Sequence, residues 1–119
     1  MKKTVATILL STNDCYICRT SLPEGRPSWD KQWLRELVRN EDVSVHGYKL
    51  LPKSIRNLVG SISNEHRPYP LSIPEIDKYA DILIVVRANS KCLKDGKKFR
   101  LDKFNQLIKT KEIEVWIRK

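Results

Sequence analysis

Two uninterrupted apolar runs, TVATILLS at 4–11 and ADILIVVRA at 80–88, constrain the fold of this chain more than any other feature. Both have the length of a strand, and both are rich in β-branched residues, which favour strands. A run without alternating polar positions is typical of a strand that is covered on both faces of its sheet. The sequence therefore predicts a sheet whose buried strands include 4–11 and 80–88.

Helical and extended patterns alternate along the rest of the chain. Amphipathic helices are predicted at 29–39, 51–59 and 101–110, and further strands at 42–47 and 112–118. Residues 60–78 carry three prolines and no sustained period, so a long connection is predicted there. Strands that alternate with helices favour an α/β fold with a mainly parallel sheet and flanking helices, in a single domain of residues 1–119.

The charge of the chain bears on its partners. The 119 residues include 23 Lys and Arg residues against 14 Asp and Glu residues, a formal charge of +9. This excess attracts phosphates of any kind, so a phosphate-bearing ligand (nucleotide or nucleic acid) or an acidic protein is the expected partner. Part of the excess lies between 87 and 103, although such runs are also typical of a solvated loop.

The motif NDCYICR at 13–19 places Cys15 and Cys18 in a CxxC spacing directly after the first predicted strand. A redox pair needs a helix start after it, but RTSLPEG follows. A zinc site needs about four ligands, and the third cysteine and the two histidines are scattered singly. The third alternative is two small apolar side chains at a strand end. We expect no metal and no disulfide between Cys15 and Cys18.

The location of the protein is predicted from the same features. Three cysteines without a regular framework are typical of a reduced, intracellular chain. The opening MKKTVATILLS imitates a signal peptide, but its apolar part is short and no cleavage motif follows. No stretch approaches the ~20 apolar residues of a membrane helix. A cytoplasmic protein without a membrane partner is expected.

The order of these segments resembles that of the dihydrofolate reductase family, including its riboflavin-biosynthesis relatives. TNDCYIC is similar to the SxDGxIA turn after that family's first strand, and RPSWDKQWLRELVRNEDVSVHGYKLLPKSI to the helix, strand and turn that follow. ADILIVVRAN and RLDKFNQLIKTKEIEVWI are similar to its later strand, helix and strand. The resemblance implies a truncated, three-layer form of that fold, with the first and last strands (4–11 and 112–118) adjacent at the centre of the sheet.

The resemblance also implies a set of site residues. Asp30 falls where the family's reductases have the carboxylate that binds the pteridine and assists protonation. Gly47, Ser54 and Arg87 match positions that contact the cofactor phosphates, and Lys49 could supply a point charge beside them. Each residue also has an ordinary structural role available, such as a helix-start carboxylate, a turn glycine or a solvated cation.

Two functions follow from the matches and the departures. Tyr48, Lys49 and Leu50 replace the family's Arg-x-Thr, and WIRK stands where the family has Gly-Gly. These departures favour a non-catalytic nucleotide-, nucleic-acid- or protein-binding protein on a degenerate dihydrofolate reductase-like scaffold. The alternative is an NADPH-dependent reductase of a pterin-like or pyrimidine substrate. Without the family's terminal strands the first strand would have a bare edge, so a homo-oligomer is expected unless residues 60–78 cover it.

Overall fold

The structure is a computed structural model that describes residues 3–11, 13–17, 42–62, 65–88, 97–109 and 113–119. Within them the strands are β1 (Lys3–Ser11), β2 (Cys15–Ile17), β3 (Val43–His46), β4 (Glu65–Arg67), β5 (Ile82–Ala88), β6 (Lys97–Lys98), β7 (Phe104–Lys109) and β8 (Ile113–Arg118). The helices are α1 (Lys53–Ile62), α2 (Ile73–Tyr79) and a 3-10 helix at Tyr48–Leu50. The predicted helix at 29–39 lies outside the described residues.

The strands form one mixed sheet in an α/β-type fold, in the order β4-β3-β1-β5-β8-β7. The pairs β3–β4, β1–β3 and β1–β5 are parallel. The pairs β5–β8 and β7–β8 are antiparallel, as are β1–β2 and β2–β6. The continuous apolar runs of the sequence therefore became β1 and β5, which lie side by side in the interior of the sheet.

The position of β1 differs from the position that the resemblance implies. β5 lies between β1 and β8, so the first and last strands of the described chain are not neighbours. The expectation that 4–11 and 112–118 are adjacent was wrong, and the strand order gives the resemblance no support. Which strand lies beside β1 depends on contacts between residues that are distant in sequence. Local sequence patterns do not contain this information.

β1 also has no bare edge. Along one edge it pairs with β5 from Val5 to Ser11. Along the other edge, Lys3 to Ala6 pair with β3, and Leu9 and Leu10 pair with β2. The argument for a homo-oligomer through an uncovered first strand therefore has no basis in this sheet. Part of the 60–78 segment does join the sheet, but as β4 beside β3.

Alternation along the strands divides the core between the two faces of the sheet. On one face, Val5 and Ile84 pack with Ile55 of α1 in a buried apolar cluster. On the other face, Ile8 and Leu83 pack with Ile76 of α2. Each helix thus buries its apolar side against a different face.

Two predicted elements need correction. Residues 101–110, predicted as a helix, contain β7. The apolar residues of this segment are spaced as on a helix. The strand accommodates that spacing because a bulge between Gln106 and Ile108 shifts its pairing with β8 by one position. Residues 60–78, predicted as a connection, contain β4 and the capped helix α2. None of the helices in the described ranges combines the length and apolar character needed to cross a membrane.

Candidate functional site

The candidate site lies at the carboxyl ends of β3 and β4, where the 3-10 helix and residues 66–69 come together. We call it the β3–β4 surface and define it by Tyr48, Lys49, Lys53, His66 and Tyr69. Loops at the ends of strands run over the surface of a protein and often carry binding residues, which makes this end of the sheet a candidate site.

Gly47 sets the direction of the chain as it leaves β3. Its backbone is left-handed, with φ of 78°, and its amide donates to the carbonyl of Tyr69 at 2.8 Å. A Cβ at this position would lie 2.5 Å from the carbonyl oxygen of Thr7 on β1. Only glycine combines this conformation with such a close approach, so the turn is held tightly against the sheet.

Tyr48 and His66 form a stacked pair beside α1. Their ring centroids are 4.6 Å apart and their planes differ by 10°. The Tyr48 hydroxyl donates to the carbonyl of Arg56 at 2.8 Å, and a Cβ at Gly60 would lie 2.9 Å from that hydroxyl. The hydrogen bond to Arg56 therefore fixes the hydroxyl end of Tyr48, and the absence of a Cβ at Gly60 leaves room for it, while His66 is exposed.

Lys49 and Tyr69 form the second half of the β3–β4 surface. The Lys49 amide donates to the carbonyl of Pro68 at 3.2 Å, and its Nζ lies 5.8 Å from the centre of the Tyr69 ring. Tyr69 is 67% exposed. Within the described ranges neither Lys49 nor Lys53 pairs with a carboxylate, whereas Arg67 is paired with Glu65 at 2.7 Å. The exposed cation of Lys49 therefore stands beside the exposed ring of Tyr69, and exposed Lys53 follows at the start of α1.

Arg87 belongs to a different cluster, at the carboxyl end of β5. Its Nε donates to Glu114 at 2.6 Å, and its Nη1 donates to Asp14 in the turn after β1. Glu114 also accepts from Gln106 at 3.0 Å and from Trp116 at 3.3 Å. Burial disfavours the charge of the Arg87 guanidinium, but the hydrogen bonds to Glu114 and Asp14 outweigh it and raise its pKa. Arg87 is thus a cation held by two carboxylates.

The structure brings together only some of the predicted site residues. Gly47 and Lys49 lie in the same turn, and Ser54 lies in the first turn of α1. Arg87 belongs to the cluster with Glu114, and contact of Arg87 with a phosphate stays a prediction that requires an ion pair to open. Asp30 lies outside the described residues. Sequence reasoning did not place Tyr48, His66 or Tyr69 in a common site; the signal for them is an aromatic side chain next to a cation, as in Tyr48-Lys49 and His66-Arg67.

Cys15 is disulfide-bonded, and its partner lies outside the described residues. A bonded Cys15 does not fit the expectation of a reduced chain, and the absence of a disulfide between Cys15 and Cys18 stays a prediction. Groups of three or more His, Cys, Asp or Glu side chains able to hold a metal ion are absent from the part of the chain that the structure describes.

Comparisons with known proteins add no family to this geometry. No protein-family model matches the chain, and none of the curated proteins compared with it is similar. A function for the β3–β4 surface is therefore inferred from its charges, rings and contacts.

Proposed function

We propose that this protein is a non-catalytic nucleic-acid-binding protein that holds the phosphate backbone on the β3–β4 surface. The observation that carries the proposal is the pair of exposed lysines, Lys49 and Lys53, without carboxylate partners in the described residues. An ammonium group that is not neutralised by the protein can displace counterions from phosphates, which is the main source of affinity for nucleic acid.

The rest of the charge distribution supports the same function. The +9 charge of the whole chain attracts polyanions over a distance, and the two lysines supply a local contact point. By contrast, the Arg87 cluster has one cation and two carboxylates, which disfavours a phosphate there. The proposed binding role does not depend on the resemblance, and the truncated, three-layer dihydrofolate reductase-like scaffold stays a proposal.

The test is the salt dependence of binding. Fluorescence anisotropy with a labelled duplex and a labelled single strand should show affinity that falls steeply between about 50 and 200 mM salt. The Lys49→Gln, Lys53→Gln double variant should weaken binding to both probes and reduce the slope of log K against log salt by about one to two.

Lys78→Gln is the matched control, because Lys78 also lies over an exposed tyrosine ring, at 5.2 Å from Tyr79, but at the amino end of β5. It should leave the slope nearly unchanged. Equal effects of the two sets of substitutions would show that binding is spread over the whole basic surface. No binding of the wild type to either probe at the lower salt would refute the function.

A second function rests on Gly47. It occupies the position that the resemblance gives to the glycine before the cofactor-phosphate turn, and it shares its turn with Lys49, so an NADPH-dependent reductase is the alternative. Quenching of tryptophan fluorescence by NADPH, lost in the Lys49→Gln variant, would favour the reductase. Unchanged fluorescence at millimolar NADPH would count against it.

A further inference from the structure

The exposed rings of the β3–β4 surface point to the form of nucleic acid that the surface accepts. We propose that Tyr69 and His66 stack on the bases of a single strand, beside the phosphate contact of Lys49. This inference rests on the proposed function and adds the class of ligand. The proposed contact is with bases, whereas the proposed function requires contact with phosphates only.

The exposure of the two rings carries the first step. Among the described residues, Tyr69 is the most exposed of the large hydrophobic side chains, at 67%. His66 packs one ring face on Tyr48 and is also exposed. Stacking of an exposed aromatic ring on a base contributes favourable binding free energy. Any base can take part, because every base has a π face.

The rigidity of the surface carries the second step. Tyr48 is held by its hydrogen bond to Arg56, and it in turn supports the ring of His66. The backbone of Tyr69 is held by the amide of Gly47 at 2.8 Å. A ring that is supported by stacking, like that of His66, and a ring on a held backbone, like that of Tyr69, lose less conformational freedom when a base arrives, which favours stacking.

The neighbouring charge carries the third step. Lys49 follows Tyr48 directly in the chain, and its Nζ lies 5.8 Å from the centre of the Tyr69 ring, so a cation lies beside an exposed ring. A strand with unstacked bases offers phosphates and base faces to the same surface. In a duplex the base faces are covered by their neighbours, so only the phosphates remain for Lys49.

The experiment compares Tyr69→Ala with Tyr69→Phe, using labelled single strands of about 12 nucleotides, a length that one small domain covers. Oligothymidylate and oligouridylate serve as separate probes, and a duplex of mixed sequence is the third. Tyr69→Ala should bind both single strands about tenfold more weakly and the duplex with unchanged affinity. Tyr69→Phe, which keeps the ring, should bind all three as the wild type does.

Tyr79→Ala is the matched control, since Tyr79 is 54% exposed and also has a lysine over its ring. It should bind single strands as the wild type does, and circular dichroism should show all variants folded. If Tyr69→Ala keeps full affinity for single strands, or loses duplex affinity equally, the stacking proposal is overturned while phosphate binding stands. If the wild type binds no probe, both proposals fail together.

Discussion

Arg87 on β5 donates from Nε to the carboxylate of Glu114 on β8, at 2.6 Å. The side chain of Glu114 is only 4% exposed, and that of Arg87 is 25% exposed. The pair joins two antiparallel strands whose residues are 27 positions apart in sequence. A carboxylate this deeply buried is tolerated because Arg87, Gln106 and Trp116 all donate to it.

Glu114→Gln should lower the free energy of unfolding by about 2–3 kcal/mol, because it leaves the guanidinium of Arg87 with one carboxylate instead of two. The loss is below that of a fully buried pair, since part of Arg87 reaches solvent. Denaturation by urea measures it. Asp77→Asn is the control: it removes the ion pair with Lys103, in which both side chains are 53% exposed, and should cost less than about 1 kcal/mol. Equal losses would contradict the assignment of a buried pair.

Gly47→Ala should destabilise the protein by at least about 2 kcal/mol. The left-handed backbone costs a residue with a Cβ about 1–2 kcal/mol, and the contact with the Thr7 carbonyl adds to this. Gly60→Ala provides the comparison, because it gains helix propensity while only the Tyr48 hydroxyl must move. Its net change should stay within about 1 kcal/mol. Thermal and urea unfolding of both variants measure the two losses of stability. Similar losses would show that the left-handed backbone at residue 47 does not require glycine.

Phe104→Ala and Leu107→Ala separate the strand at β7 from the helix predicted there. On the strand, Phe104 is 3% exposed and Leu107 is 48% exposed. Phe104→Ala should cost about 3–5 kcal/mol, and Leu107→Ala less than about 1 kcal/mol. An amphipathic helix over 101–110 would bury both residues on one side, so comparable losses would favour the helix.

Ser72→Ala should raise the pKa of Glu75 toward its ordinary value. Hydrogen bonds from the Ser72 hydroxyl, at 2.6 Å, and from its amide lower the pKa of this carboxyl. A carboxyl whose pKa folding lowers stabilises the protein above its unfolded pKa, and this contribution is lost as the pH falls through the folded value. NMR titration of Glu75 measures the shift. Ser72→Thr keeps a hydroxyl and should keep the pKa low; a rise in both variants would contradict the capping box.

Thiol titration tests the state of Cys15. The chain has three cysteines, and Cys15 is disulfide-bonded. Protein that has not met a reductant should therefore show one free thiol per chain after denaturation, and three after reduction. Three free thiols before reduction would restore the expectation of a reduced chain.

The strands of the sheet were predictable where the information is local. The runs at 4–11 and 80–88 became β1 and β5, because continuous apolar segments need cover on both faces whatever their neighbours are. The shorter extended patterns at 42–47 and 112–118 became β3 and β8. The sequence Glu65-His66-Arg67 has no apolar residue, so only its pairing with β3 makes it a strand. The neighbour of β1 likewise depends on contacts that no local pattern records.

The candidate site was predictable only in part. Gly47 and Lys49 stood out in the sequence, and they do share one turn. Tyr69 did not, because its exposure follows from the path of residues 66–69 across the end of β3. The link between Arg87 and Glu114 was equally hidden, since it forms only when β5 and β8 become neighbours.

The shared edge of β1 has a consequence for how the molecule opens. One edge is divided between β3, which pairs with Lys3 to Ala6, and β2, which pairs with Leu9 and Leu10. Of the strand pairs along this edge, detachment of the short β2–β6 ribbon breaks those with Leu9 and Leu10 and leaves β3 and β5 in place. We therefore expect the amides of the ribbon to exchange with solvent through sub-global opening, at a lower free energy than the amides shared by β1 and β5.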